Sequence, residues 1–410
     1  MKTSLLSAAS LSFAALLASA ATASAAGFGL YEGSVRANAM GTEITADPVS
    51  PSVMYNNPAA ITELDGVQVE AGATGIRPAQ RIKTTSPLGA DRMTHADSKW
   101  WVPPNAYATW KAFERMSVGV GFFSRAGLGC EYPEDWPGRY DWTKVELTSY
   151  EVNPNVAFKL TDTLSFGGGL RLQSMEADLY RMVSSGTPFA DPDLKMHLKG
   201  DAQALAYDVG LYWQAATNIS FGVAYQSRAT EDIKGDVYCA GQRVGAKCEL
   251  TTPAEIFLGA SMKPNERLKV NVGTIISVWN SFDSLNISFD QPLLGKSSGL
   301  SVRKDWELTV RPQIGVEFKA TDILALRAGY AYDQAPDPDA HADYMVPGND
   351  RNLFSVGAGL DFGSWFCDLS YVYLFMPKRD IDARPAEGVF QTTFMNGDAH
   401  MLGASLGCRF

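Results

Sequence analysis

From residue 65 onward, apolar and polar positions alternate with period two, in runs separated by polar punctuation. Such alternation puts every second side chain on one face of a β-strand. Near 201–215, Leu205, Tyr207, Val209, Leu211 and Trp213 share one face, and Ala204, Ala206, Asp208 and Gly210 the other. Near 323–333, Leu324, Leu326, Ala328, Tyr330 and Tyr332 oppose Arg327, Gly329 and Asp333. Fourteen strands read this way: 65–77, 101–112, 115–126, 143–160, 164–180, 201–215, 219–233, 251–263, 268–287, 305–319, 323–333, 351–362, 365–376 and 399–410.

The connections alternate in length. Tight turns rich in Asp, Asn, Pro or Gly fall at Phe113-Glu114, Thr161-Asp162-Thr163, Ala216-Thr217-Asn218, Pro264-Asn265-Glu266, Ala320-Thr321-Asp322 and Gly363-Ser364. Long polar segments lie near 78–100, 127–142, 181–200, 234–250, 288–304, 334–350 and 377–398. A soluble β-sandwich does not segregate its loops so regularly; a bacterial membrane barrel has short periplasmic turns and long external loops. Closure gives every backbone donor an acceptor, the condition for a sheet to sit in hydrocarbon. The pattern therefore predicts an all-β protein whose 65–410 form a 14-stranded antiparallel transmembrane β-barrel, apolar faces to lipid and polar faces to the lumen. Trp100, Trp101, Trp110, Trp213, Trp279, Trp306 and Trp365 fall mostly near strand ends, as aromatic girdles do, and the chain ends on Phe410.

The N-terminus sets the compartment. Lys2, the apolar stretch 5–17 and Ala23-Ser24-Ala25 have the order of a secretory signal peptide, giving 1–25 as the signal and Ala26 as the mature start. Past Ala26 there is no apolar run long enough for a membrane helix. The bacterial outer membrane follows. The segment 26–64 is rich in small residues and poor in strand pattern, and Pro48, Pro51 and Pro58 keep it out of a sheet. Barrels of sixteen to eighteen strands already hold an aqueous channel, so 26–64 is expected to plug the lumen rather than trail into the periplasm.

Chemistry narrows the reading by exclusion. A net charge of -10 argues against nucleic acid as a partner. His95, His197 and His341 fall in predicted loops and His400 opens the last strand, with no serine or carboxylate signature tying any into a relay, so no catalytic residue, metal or cofactor is expected and the protein is read as no enzyme. Of five cysteines, Cys239 and Cys248 are the disulfide candidates, closing a short loop. Cys367 and Cys408 face each other if the last hairpin is centred near Glu387, either as a pair or as neighbouring lipid-facing thiols. The acidic stretch 333–343 reads as a solvated loop, with Ca²⁺ binding or lipopolysaccharide bridging as the alternative.

In the third strand Val118, Val120 and Phe122 point outward and Gly119, Gly121, Phe123 and Arg125 inward, until Ala126-Gly127-Leu128-Gly129 breaks the alternation. Glycine inside a strand marks a bend or bulge, or else these glycines begin an external loop. Arg125, Arg171 and Arg327 point into the lumen by parity, available to a carboxylate or to Glu151, Asp208 or a plug acid.

Several motifs together resemble the outer-membrane long-chain fatty-acid transporter family (FadL), which includes uptake channels for aromatic hydrocarbons. They are Ala26-Gly27-Phe28-Gly29-Leu30, Asn57-Pro58-Ala59, Trp101-Val102-Pro103, Gly127-Leu128, Ser277-Val278-Trp279-Asn280-Ser281-Phe282, Tyr332-Asp333-Gln334-Ala335-Pro336, Val346-Pro347 and the terminal Phe410. The resemblance implies uptake of hydrophobic small molecules, foremost long-chain fatty acids, through a plugged monomeric barrel in contact with outer-membrane lipid and lipopolysaccharide. It implies a hatch marked by Gly27, Asn57, Pro58 and Ala59, and lateral exit at a third-strand kink over Ala126, Gly127, Leu128 and Gly129. Substrate contacts are expected from Phe28, Leu30, Phe123 and Arg125. An aromatic-hydrocarbon channel is the alternative, and a general porin a further one. The family's hydrophobic landing groove has a short counterpart here, with Met182, Val183, Phe189, Leu194 and Met196 available.

Overall fold

The computed structural model describes residues 27–85, 91–295 and 297–410. The expected signal peptide and Ala26 lie outside the described residues. Fourteen antiparallel strands close into a ring: β1 (Val67–Ala79), β2 (Pro104–Phe113), β3 (Met116–Phe123 and Gly127–Glu131), β4 (Lys144–Lys159), β5 (Leu164–Ser184), β6 (Asp193–Ala216), β7 (Ile219–Gln226 and Ala229–Cys239), β8 (Gln242–Thr252 and Ala254–Met262), β9 (Leu268–Val278 and Ser284–Leu293), β10 (Ser297–Arg303 and Thr309–Lys319), β11 (Leu324–Asp333), β12 (Arg351–Asp361), β13 (Trp365–Met376) and β14 (Gly397–Arg409). β14 pairs back onto β1, with Gln68 opposite Arg409, so the ring closes on itself. Parity is as the alternation predicts: Leu205 and Leu326 face out and are exposed, Asp208 and Arg327 face in and are buried.

Three of the long connections differ from the sequence expectation. Most of 181–200, 234–250 and 288–304 is strand, continuing β5–β6, β7–β8 and β9–β10 outward. Their outer faces carry ion pairs such as Lys199–Glu176, Arg243–Asp236 and Lys247–Asp290, because they meet water instead of lipid. Charge on the outward face made these strands look like loops. Their inner faces are apolar: Met196 is buried there with Val183 and Leu194 packed alongside, while Met182, opposite Lys195 on the other face, is buried as well, so these residues form no exposed groove.

Register also corrects the cysteines. Cys239 stands opposite Gln242 and Cys248 opposite Ile233. That offset of six residues is roughly 20 Å along the hairpin, beyond the ~7 Å between α-carbons that a disulfide spans, and both thiols are free. Cys367 faces Leu406 and Cys408 faces Trp365, because the hairpin is centred one residue earlier than expected; these thiols are free as well.

Residues 27–64 lie within the ring. Their short helices, Val35–Asn38, Pro51–Tyr55 and Pro58–Glu63, are almost wholly buried. Contacts run round the wall: Asn38 to Thr74 of β1, Tyr107 of β2 to the Gly33 carbonyl, Thr62 to Ser165 of β5, Ser220 of β7 to the Ala46 carbonyl, Asn271 of β9 to the Glu43 carbonyl. A buried ion network fixes one side. Arg36 meets Glu317 at 2.6 Å, Lys269 meets Asp47 at 2.7 Å, and Arg327 meets Glu317 at 2.8 Å and also Asp368. Removing one member of such a network leaves a buried charge unpaired, at a cost of about 3–5 kcal/mol.

A belt of inward glycines makes room for this segment. Gly167 stands opposite Gly210 on β5 and β6, and Gly222, Gly259 and Gly273 stand opposite one another in succession on β7 to β9, with Gly210 offset two residues from Gly222, against Ala224. A Cβ on Gly222 would fall 2.2 Å from the Thr45 carbonyl oxygen, and one on Gly167 2.8 Å from the Ala59 backbone. Across the ring, Gly315, Gly329 and Gly357 give Met40, Gly41 and Ala39 the same room.

The outer mouth is capped. Strands Arg81–Thr85, Asp91–His95, Arg379–Ile381 and Gln391–Phe394 form a small second sheet. Beneath it Ile82, Tyr132, Trp136, Tyr344, Val389 and Phe394 build a core. The acidic stretch 333–343 belongs to this cap and is not a solvated loop. Asp333 pairs with Arg351, Asp337 and Asp339 with Arg379, and Asp343 with Lys304. Among the described residues it offers no cluster suited to a metal ion.

Two outcomes follow from this packing. Gly222→Val overfills the belt, a strain on the order of 1–3 kcal/mol. The barrel should stay heat-modifiable while the inner segment loses its seat, read as raised conductance in planar bilayers and tryptic cleavage at Arg36. In the cap, burial and the neighbouring Asp343 push the Asp141 carboxyl up to about 8 against the pull of Lys304 and Arg181, and burial pushes Asp337 to about 7. Exposed carboxyls titrate near about pH 4. Through the interval up to about pH 8 the closed cap therefore holds protons that an opened cap releases, and its stability falls as pH rises. Deuterium exchange over 334–350, corrected for intrinsic rate, should be faster at alkaline than at mildly acidic pH, and Asp141→Asn should flatten the difference.

Candidate functional site

The ladder of β3 breaks at Ser124–Ala126. Before the break Phe123 stands opposite Glu151 of β4, and after it Gly127 stands opposite Thr148, so four steps along β3 match three along β4. One extra residue is a β-bulge, and it reverses parity beyond it: Phe123 is buried inward on an odd position, Cys130 on an even one. The freed backbone groups find other partners. Leu30 N–H donates to the Arg125 carbonyl at 2.8 Å, and Gly127 N–H to the Phe28 carbonyl at 2.9 Å, making a β-bridge between Gly29 and Ala126. Ser149 Oγ accepts from Ala126 N–H and donates to its carbonyl, and Ser124 Oγ donates to the Ser149 carbonyl.

A break in the wall results. β2 pairs with β3 up to Ala106 opposite Phe122. Among the described residues no ladder joins β2 to Gly127–Glu131, and the next backbone bond across is Asp97 N–H to the Glu131 carbonyl, at 2.9 Å. Against this break lies a cavity of ≈ 420 Å³, within the usual size of small-molecule sites. Its apolar lining includes Leu30, Ile76, Trp101, Val102, Leu128, Leu147, Val346, Leu374, Met376 and Met401, with Glu32, Asp97 and Arg351 among the polar groups. β4 lines it from both faces, through inward Leu147 and Ser149 and outward Thr148 and Tyr150.

Beside the cavity stands an apolar column. Phe28 lies 4.8 Å from Trp279, 5.6 Å from Trp306 and 5.8 Å from Phe282, ring centre to ring centre. From there Leu147, Met175, Leu179, Leu198, Ile233, Leu285 and Ile287 continue the same buried cluster between the strand extensions. Leu147 belongs to both column and cavity.

The sequence-predicted residues divide accordingly. Gly27, Leu30, Ala126, Gly127, Leu128 and Gly129 line the cavity, whereas Phe28, Phe123 and Arg125 do not. Phe28 anchors the column. Phe123 is buried between Tyr55 and Tyr107. Arg125 lies over the Tyr55 ring at 3.8 Å, donates to the Tyr55 carbonyl and lies 3.7 Å from Glu151, which makes it a support of the inner segment. Arg171 is held by Glu151 in two-point contact, and Arg327 by Glu317 and Asp368. Asn57 explains its motif: its Oδ1 accepts from Ala59 N–H, capping the turn, while its Nδ2 donates to the Thr45 and Leu211 carbonyls, tying that turn to the wall. Pro58 opens the turn, and Ala59 packs on bare Gly167. Sequence reasoning missed Ser149, whose role shows only once β3 and β4 are paired, and the methionines of β13 and β14.

The family model described as "Outer membrane protein transport protein (OMPP1/FadL/TodX)" matches residues 16–410. A long-chain fatty acid transport protein of Salmonella typhi is 24% identical over 75% of this chain and 77% of its own. Among solved structures, a Pseudomonas aeruginosa FadL homologue superposes with TM-score 0.83 at 19% identity, covering 94% of this chain and 100% of its own. The Ralstonia pickettii toluene transporter TbuX gives 0.72 at 18%, covering 94% and 98%. The closed 14-stranded ring and the match over nearly its whole length place the chain in the OMPP1/FadL/TodX family of outer-membrane transport proteins.

Proposed function

We propose that this protein takes up long-chain fatty acids by diffusion, with 27–64 as a hatch and the break beside β3 as a lateral exit into the outer membrane. The observation that carries the reading is the ≈ 420 Å³ cavity, which runs from the hatch residues Gly27 and Leu30 to both faces of β4. Cargo descends the apolar column from the outer side, passes Phe28 and reaches the cavity. Each Å² of apolar surface it buries contributes about 25 cal/mol. The carboxylate end faces Arg351, the cation of the lining, which also pairs with Asp333. The protein works as a monomer among outer-membrane lipid and lipopolysaccharide, with no reaction on the cargo. Monoaromatic hydrocarbons are the second reading, favoured by the aromatic cluster of Phe28, Trp279, Phe282 and Trp306.

Uptake of radiolabelled oleate and of toluene, in cells lacking their own such channel, tests this. Deleting Ala126 removes the extra residue and lets β3 run straight past β4. A heat-modifiable deletion variant should fall to the uptake of channel-free cells, and the better cargo in wild type names the class. Unimpaired uptake in that variant would refute lateral exit, and steady ion conductance without uptake would make the protein a porin.

A further inference from the structure

We infer that Trp101 is the steric gate of the wall opening and sets the cross-section of the molecules that leave through it. The inference rests on the lateral path proposed above. Trp101 belongs to one margin by its backbone and to the other by its ring. Its N–H donates to the Ile76 carbonyl at 2.9 Å, and Ile76 N–H donates to its carbonyl at 2.7 Å, an isolated bridge that ties it to β1. Its indole reaches the outer limb of β3, where a Cβ built on Gly129 would fall 2.2 Å from two of the ring carbons. The ring thus rests on bare backbone, at a place where any side chain would push it aside. No ladder hydrogen bond crosses here, so a side chain closes the width that a strand pair closes elsewhere.

The glycine and the tryptophan are one device. Gly129 without the indole leaves an open slot, and the indole without Gly129 has no seat. Trp101 is half-buried and lines the cavity on one side, so it stands where cargo leaves rather than where it is held. Its neighbour Trp100 is exposed on the opposite side of the chain, near Gly75, and lines no part of the cavity. With the indole in place the slot admits a single unbranched chain or a ring passing edge-on. A fused polycyclic skeleton needs the ring removed.

The test compares uptake of radiolabelled oleate with that of abietate, a tricyclic carboxylic acid that shares the head group and differs in girth. Wild type, Trp101→Ala, Trp101→Phe, Trp100→Ala and the Ala126 deletion are assayed in the same cells, each checked for heat-modifiable folding. The abietate-to-oleate ratio should rise several-fold in Trp101→Ala, less in Trp101→Phe, and stay at the wild-type value in Trp100→Ala. Should Trp101→Ala fail to fold, the milder Trp101→Phe carries the comparison. An unchanged ratio at Trp101, with oleate uptake still abolished by the Ala126 deletion, overturns the gate and leaves the lateral path standing. Oleate uptake that survives the deletion overturns both.

Discussion

Inside a bilayer every backbone N–H and C=O needs a partner within the protein, because hydrocarbon supplies none. A barrel meets that demand by closing its sheet, and any gap in the ladder exposes unpaired groups, each costing several kcal/mol. In this chain the gap beside β3 survives because other groups answer for it. Phe28 and Leu30 take two of the freed backbone groups, and Ser149 takes two more. The inner segment is thus part of what allows the wall to be open. The inner segment and the break in the ladder are joined by the same hydrogen bonds.

The inner segment must then be held in a fixed place. Its anchor lies away from the opening, in the Arg36, Asp47, Lys269, Glu317, Arg327 and Asp368 network on β9 to β13. The glycine belt brings its backbone against the wall over β5 to β12, where hydrogen bonds from Asn57, Ser220 and Asn271 are short. Toward β3 it reaches in two places, with Gly27 to Leu30 at the break and with Met54 and Tyr55 against Gly119, Phe123 and Arg125. At the break itself the two are joined by a few backbone bonds, in contrast to the charged network on the far side. Lumen charges that resemble a head-group site are instead committed, Arg125 and Arg327 to this anchoring and Arg171 to Glu151 and the Ser227 carbonyl of the wall.

What the sequence disclosed follows from which distances each feature spans. Alternation is local, so the fourteen strands and the faces of Leu205, Asp208, Leu326 and Arg327 were legible. The glycines at 127 and 129 located the break in β3, but the bulge itself is a count of β3 against β4 and has no meaning in one strand alone. The same limit misplaced Cys239 against Cys248 and Cys367 against Cys408, where a shift of one or more residues decides the pairing. Strand extensions were hidden because polarity alone does not separate a strand facing water from a loop. The glycine belt lies in plain view among 37 glycines, yet only cross-strand register aligns Gly167 with Gly210, and Gly222 with Gly259 and Gly273.

On the proposed path no energy source is needed, and the reason is the match between the cavity and what lies beyond it. A binding site that faces water must release apolar cargo at about 0.8 kcal/mol for each methylene exposed. Tight capture there would mean slow release. A site whose mouth opens on lipid avoids that conflict, since the tail leaves one apolar surrounding for another. The column and cavity can bury cargo firmly against return to the water outside and still let it go sideways. The remaining barrier is steric, set by the width between Trp101 and the bare backbone at Gly129. Selectivity by girth is therefore available at the exit without any loss of affinity in the cavity.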